Sequence, residues 1–127
     1  MLFMVMNQTG CGRVALKLSQ RDIILIWFPF SDLAGSKVRP ALVISNDIYN
    51  EGSLDAVVVA LTSNTSRSPY KVVITHSDLE HGRLPVVSAV RCDKPFSVLR
   101  SKTLKVQGRL SEEKFKTVQQ TIATLLE

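Results

Sequence analysis

Six runs of four to eight residues, rich in β-branched and aromatic side chains and separated by turn residues, are followed by one change of periodicity near the C-terminus. Asp22-Ile23-Ile24-Leu25-Ile26-Trp27-Phe28 is the first run, of a composition that suits a strand covered on both faces. Pro29 ends it, and residues 30–37 carry the turn chemistry of a connection. Residues 41–45, 56–62, 70–75, 86–93 and 103–106 supply a second to a sixth strand, with Pro40 at the edge of the second, where a missing N–H is tolerated. Residues 46–55, 63–69 and 94–102 are polar or turn-like connections. Then Ser111 offers an N-cap, and Glu112 and Glu113 occupy a first helical turn, where the macrodipole favours negative charge. Phe115, Val118, Ile122 and Leu125 recur at helical spacing, and Gly108 breaks the chain before them. Short strands with few residues between them, then one amphipathic helix, predict a mainly β fold: a small antiparallel barrel closed by a C-terminal helix.

At 127 residues the chain is sized for one domain, placed at 20–127, with residues 1–19 an extension. The formal net charge of +5 favours an acidic or polyanionic partner. Residues 91–116 hold eight Lys/Arg against Asp93, Glu112 and Glu113, a candidate phosphate-facing surface whose alternative is a solvated face. Cys11 and Cys92 make no disulfide framework and have no metal-ligand spacing, which suits a reducing, cytoplasmic compartment. The apolar start, Met1 to Met6, lacks the positive region and length of a signal peptide, and no run approaches the ~20 apolar residues of a membrane span.

Phosphate-binding glycine loops and zinc or calcium patterns are absent, which argues against an NTPase, a dinucleotide enzyme and a zinc module. His76 and His81 flank Asp78 and Glu80, where a solvated loop histidine is the ordinary expectation. Arg91 and Asp93 are two apart on a strand and so share a face, with Cys92 on the other. They are either a pair that holds a strand end or a cation and a carboxylate aimed jointly at a phosphodiester. Arg39 precedes Pro40, which biases it to an extended backbone at a loop-to-strand junction, and its planar fork suits a phosphate. Thr62 and Ser63 end the third strand, where hydroxyls start a turn or donate to a phosphate oxygen.

Together these segments resemble the MazF/PemK/Kid family, over residues 20–126. The resemblance rests on Asp22-Ile23-Ile24-Leu25-Ile26, Arg39-Pro40-Ala41-Leu42-Val43-Ile44-Ser45, Val58-Val59-Ala60-Leu61-Thr62-Ser63, Val90-Arg91-Cys92-Asp93 and Gly108-Arg109-Leu110-Ser111, in that order. It implies an SH3-like barrel, a homodimer, a cofactor-free and metal-independent endoribonuclease acting on single-stranded mRNA, and neutralisation by an acidic antitoxin. Family catalytic positions carry over to Arg39 and Thr62, and those of the Kid branch to Arg91 and Asp93, its proposed acid and base. Ser36, Lys37, Ser63, Asn64, Arg67 and Lys94 are the RNA-binding candidates. The sequence departs from the pattern in three places. Arg21 stands where the family has Gly, Lys94 where it has Gln, and the loop before Arg39 lacks the His of Kid-like members. The alternative is a module of the same fold that holds RNA or an acidic partner without cutting it, which predicts salt-sensitive association and no cleavage.

Overall fold

A computed structural model describes residues 16–29 and 36–127. Seven strands run in the order β1 (Asp22–Pro29), β2 (Ser36–Val43), β3 (Asp55–Thr62), β4 (Lys71–Ile74), β5 (Leu79–Gly82), β6 (Ser88–Leu99) and β7 (Thr103–Leu110). A short helix α1 (Asp47–Gly52) links β2 to β3, and the longer α2 (Glu112–Leu125) ends the chain. All neighbouring strands are antiparallel, in the sheet order β4-β6-β3-β2-β1-β7-β5, and the sheet curls into a half-barrel instead of closing. The mainly β fold with a C-terminal helix is as the sequence predicts.

Both faces of the sheet are covered, which is why the strands are near-continuous apolar runs. Ile23, Leu42, Val59, Ile74 and Val90 form one core with Phe115 and Val118 of α2, while Ile24, Ile26, Ala41, Val43 and Val58 form the other with Leu18. Successive residues of β1 thus serve opposite cores, as the two-residue strand period requires. Helix α2 packs on β6 and β4. Ser111 caps it by accepting from the Lys114 N–H at 3.2 Å, and burying Phe115 and Val118 contributes roughly 2 kcal/mol each. Leu18 is only 2% exposed, so residues placed in an N-terminal extension already join the core. The expectations for residues 1–15, Cys11 included, lie outside the described residues.

Several boundaries differ from expectation. The turn-like 46–55 segment holds α1, capped by Asn46 and tied down by the buried Asn50, whose amide donates to the Ser45 carbonyl. β5 was not anticipated, β6 continues through the expected connection to Leu99, and β7 runs on through Gly108. Gly108 does not break the chain; it lets β5 and β7 approach. A Cβ on Gly82, whose φ is +89°, would lie 2.3 Å from the Gly108 Cα, and one on Gly108 would lie 2.8 Å from the His81 carbonyl. Arg39-Pro40 lies in mid-strand, not at a junction, and β2 is a central strand. Pro40 is tolerated because pairing with β3 begins only at Ala41, so no β3 bond is lost to its missing N–H.

Candidate active site

The same late start of the β2–β3 ladder opens the sheet. Upstream of Ala41, β2 pairs with β1 alone, Arg39 lying opposite Ile26. On the other side of β3, the register with β6 jumps: Val59 faces Pro95, yet Leu61 faces Val90. Ala60 alone therefore spans Arg91, Cys92, Asp93 and Lys94, a wide bulge of the kind that re-aims side chains beside functional sites. Between the splayed β2 and bulged β6 lies an open cleft of about 510 Å³, lined by Arg39, Thr62, Arg91, Lys94, Phe28 and Phe96 among others.

Arg91 and Asp93 project to one face, as their spacing predicts, and form a fork-to-fork pair. The Arg91 Nε donates to Asp93 Oδ1 and its Nη2 to Oδ2, each at 3.0 Å, with both side chains about one-third exposed. The Arg91 guanidinium holds the Asp93 carboxyl below the usual carboxylate range, and Asp93 raises the Arg91 pKa in turn. Cys92 points into the core and is a free thiol, pushed up to about 11 chiefly by burial and then by the Asp93 charge. It is therefore no nucleophile at neutral pH.

Of the sequence candidates, Arg39, Thr62, Arg91 and Lys94 line the cleft, and Asp93 is bound to it through Arg91. The Thr62 hydroxyl accepts from the Asn64 N–H at 3.1 Å, the turn-starting role, and keeps its own proton to donate. Ser63 and Asn64 are exposed just beyond it. Lys37 is exposed on β2, two residues from Arg39 and so on the same strand face. Ser36 is the first residue of β2. Arg67 is elsewhere: it lines a separate depression with Thr65, Ser66, Pro69 and Lys71, whose Nζ donates to the Asn64 carbonyl at 3.1 Å and steadies that loop.

The basic 91–116 stretch is not one phosphate-facing surface. Arg109 pairs with the buried Asp22 at 3.1 Å, Arg100 donates to the Ser53 carbonyl at 3.0 Å, and Lys114 faces Asp78 at 3.9 Å; of the eight, Arg91 and Lys94 line the cleft and Lys102 lines a neighbouring groove. Neither histidine lines it; the His76 Nδ1 accepts from the Leu84 N–H at 3.3 Å. Phe28 and Phe96 carry no sign in the sequence of lining a cleft, since Phe28 ends an apolar run and Phe96 lies in a stretch that reads as a connection. Among the described residues, no three His, Cys, Asp or Glu side chains converge as metal ligands, and no helix is long and apolar enough to cross a membrane.

The fold is shared with solved structures at low identity. One titled an endoribonuclease from Mycobacterial species superposes with a TM-score of 0.70 at 20% identity, covering 90% of this chain and 95% of that one. A second, an endoribonuclease in complex with its cognate antitoxin from Mycobacterial species, gives 0.70 at 21%, covering 86% and 94%. A MazE–MazF complex from Deinococcus radiodurans gives 0.72 at 22%, covering 87% and 97%. No curated protein matches the chain. The family model for the PemK-like, MazF-like toxins of type II toxin–antitoxin systems matches residues 19–126, and this protein belongs to that family.

Proposed function

We propose that the cleft cleaves single-stranded RNA and that the protein acts as the toxin of a toxin–antitoxin pair in the cytoplasm, where mRNA is the substrate. One observation carries this reading: three strands bring Arg39, Thr62, Arg91 and Lys94 to one open cleft, with a carboxylate, Asp93, held at its side. RNA supplies its own nucleophile, the 2′-OH, so the residues need only position the phosphate, accept a proton and stabilise charge. Arg39, Arg91 and Lys94 bind the phosphoryl oxygens and stabilise the charge that grows on them. Thr62 donates its hydroxyl proton to the same group, and Asp93 takes the 2′-OH proton. As the 2′-oxygen bonds to phosphorus the P–O5′ bond breaks, and the departing 5′-oxygen takes a proton from water in the open cleft, so the products are a 2′,3′-cyclic phosphate and a 5′-hydroxyl.

The resting pair limits Asp93 as a base, since the Arg91 charge lowers its pKa. An arriving phosphate competes for the Arg91 fork. As Arg91 turns to the phosphate, Asp93 loses the partner that depresses its pKa and becomes the stronger base when substrate is in place. Arg91 itself is too weak an acid to give up a proton, so its part is electrostatic. An acidic antitoxin segment would compete for the same cations, and two copies in a symmetric dimer would line up two such clefts for one strand. The antitoxin reading draws support from the similar structure titled as an endoribonuclease in complex with its cognate antitoxin.

The test is an RNA carrying one 2′-deoxy nucleotide at a mapped cut site. Loss of cleavage at that position alone, with other sites still cut, supports attack by the neighbouring 2′-OH. Cutting at the deoxy position refutes it. Salt-sensitive binding with no cleavage of either RNA favours the non-cutting module.

A further inference from the structure

Phe28 and Phe96 belong to two depressions at once. They line the cationic cleft, and they also line an apolar groove of about 430 Å³ with Ile26, Val98, Leu99 and Lys102. The two rings meet edge to face, centroids 5.1 Å apart and planes at 88°. Both are half-buried, rooted in the core that holds Ile26 and Val58, and Phe96 lies opposite Val58 just past the bulge that carries Arg91 and Lys94. The pair is therefore a fixed partition, set by packing, between a cluster of cations and an apolar surface. In an edge-to-face pair each ring keeps at least one face clear of the other.

The flanks have one sign. Arg39, Arg91 and Lys94 lie on the cleft side of the partition and Lys102 on the groove side, and neither lining includes an Asp or Glu. Leu99 is 44% exposed in the groove, an apolar surface left open beside charge. Aromatic faces interleaved with cations suit single-stranded nucleic acid, in which bases stack on rings while successive phosphates meet the cations.

We propose that Phe96, braced by Phe28, stacks the base of the nucleotide next to the scissile phosphate, and that the strand continues over the apolar groove towards Lys102. This rests on the RNA-cleaving reading of the cleft and deepens it with a subsite. Because a stack reads the face of a base and not its hydrogen-bonding edge, the contact tolerates any base and adds affinity and register.

The test pairs protein variants with altered RNA. Oligonucleotides with one abasic nucleotide at each position around a mapped cut are cleaved by the wild type, Phe96→Leu and Phe96→Trp. One stack corresponds to a loss of about tenfold in kcat/KM. The wild type should lose that factor at a single abasic position. Phe96→Leu should lose it on intact RNA and nothing further at that position, and Phe96→Trp should recover it. The same oligonucleotides with 2-aminopurine separate this proposal from the cleavage reading. Quenching at one position by the wild type and Phe96→Trp, and not by Phe96→Leu, supports the stack even if no RNA is cut. Equal quenching by all three, or an abasic penalty that persists in Phe96→Leu, overturns it. So does a Phe96→Leu protein with unchanged RNA binding but weakened self-association in light scattering, which would give the groove to a second copy of the chain. Unchanged circular dichroism of each variant excludes misfolding as the cause.

Discussion

Arg21 is the one described residue other than glycine with a positive φ, +81°. Its backbone is held there from both sides: its N–H donates to the Val43 carbonyl and its carbonyl accepts from the Leu110 N–H, each at 2.9 Å. The side chain reaches across the β5–β7 end of the sheet, where Nη1 meets the Leu110 carbonyl and Glu80 Oε1, each at 2.8 Å. Replacing it by Ala and by Gly separates these effects, because both variants lose the same side-chain contacts and only Ala keeps the strain. Left-handed backbone costs an L-residue about 1–2 kcal/mol. The greater freedom of Gly in the unfolded chain gives back about 0.4–1 kcal/mol of that. Arg21→Gly should therefore be more stable than Arg21→Ala by about 0.5–1 kcal/mol, or about 2–4 °C in Tm for a domain of this size. Thermal unfolding of the two purified variants by circular dichroism measures this. An Ala variant that melts with or above the Gly variant would refute the argument, since backbone strain at this position would then cost nothing.

Four further outcomes follow from the geometry. Gly82→Ala forces a Cβ to 2.4 Å from the Gln107 carbonyl at a positive φ, and should destabilise by about 2 kcal/mol or more in urea unfolding, whereas Gly52→Ala, with open space around it, should not. Asp93→Asn is nearly isosteric but removes the base and one of the two acceptors that hold Arg91, so kcat should fall by about 10²–10⁴ while RNA binding holds or tightens as Arg91 is released. Because the Asp93 pKa is lowered on folding, its contribution to stability is present above its unfolded value and is lost only as pH falls through the lower folded value. Unfolding midpoints of wild type and Asp93→Asn should accordingly run parallel from pH 5 to 8 and converge at more acid pH. Cys92, buried with its pKa at about 11, should resist iodoacetamide at pH 8 until the chain is unfolded, as peptide mass mapping would show.

The strands that are buried on both faces were legible, because an unbroken apolar run such as Ile23 to Ile26 has few other uses. So was α2, whose cap and apolar stripe state its ends. β5 was hidden by its composition: Leu79-Glu80-His81-Gly82 has one apolar residue and forms only because glycines let β7 approach. The extent of β6 was hidden for the opposite reason. Lys94 and Pro95 look like a loop, and the bulge that accommodates them depends on the register with β3, which no local pattern encodes. The Arg91–Asp93 pair followed from spacing, but its meeting with Arg39 did not, since that needs the late start of the β2–β3 ladder. Arg67 lines another depression, because its loop carries it there. The aromatic partition was invisible, as Phe28 sits in a run that reads as core and Phe96 in a stretch that reads as a connection.

The central claim is that Arg39, Thr62, Arg91 and Asp93 form one ribonuclease site that supplies its chemistry from side chains alone. Its most direct test is incubation of the purified protein with a long single-stranded RNA in excess EDTA, with end-group analysis, beside the Arg39→Ala/Arg91→Ala double variant. Discrete cuts with 2′,3′-cyclic phosphate ends, lost in the folded double variant, are the predicted result. Intact RNA despite saturable binding, or cleavage that survives in the double variant, would contradict the account.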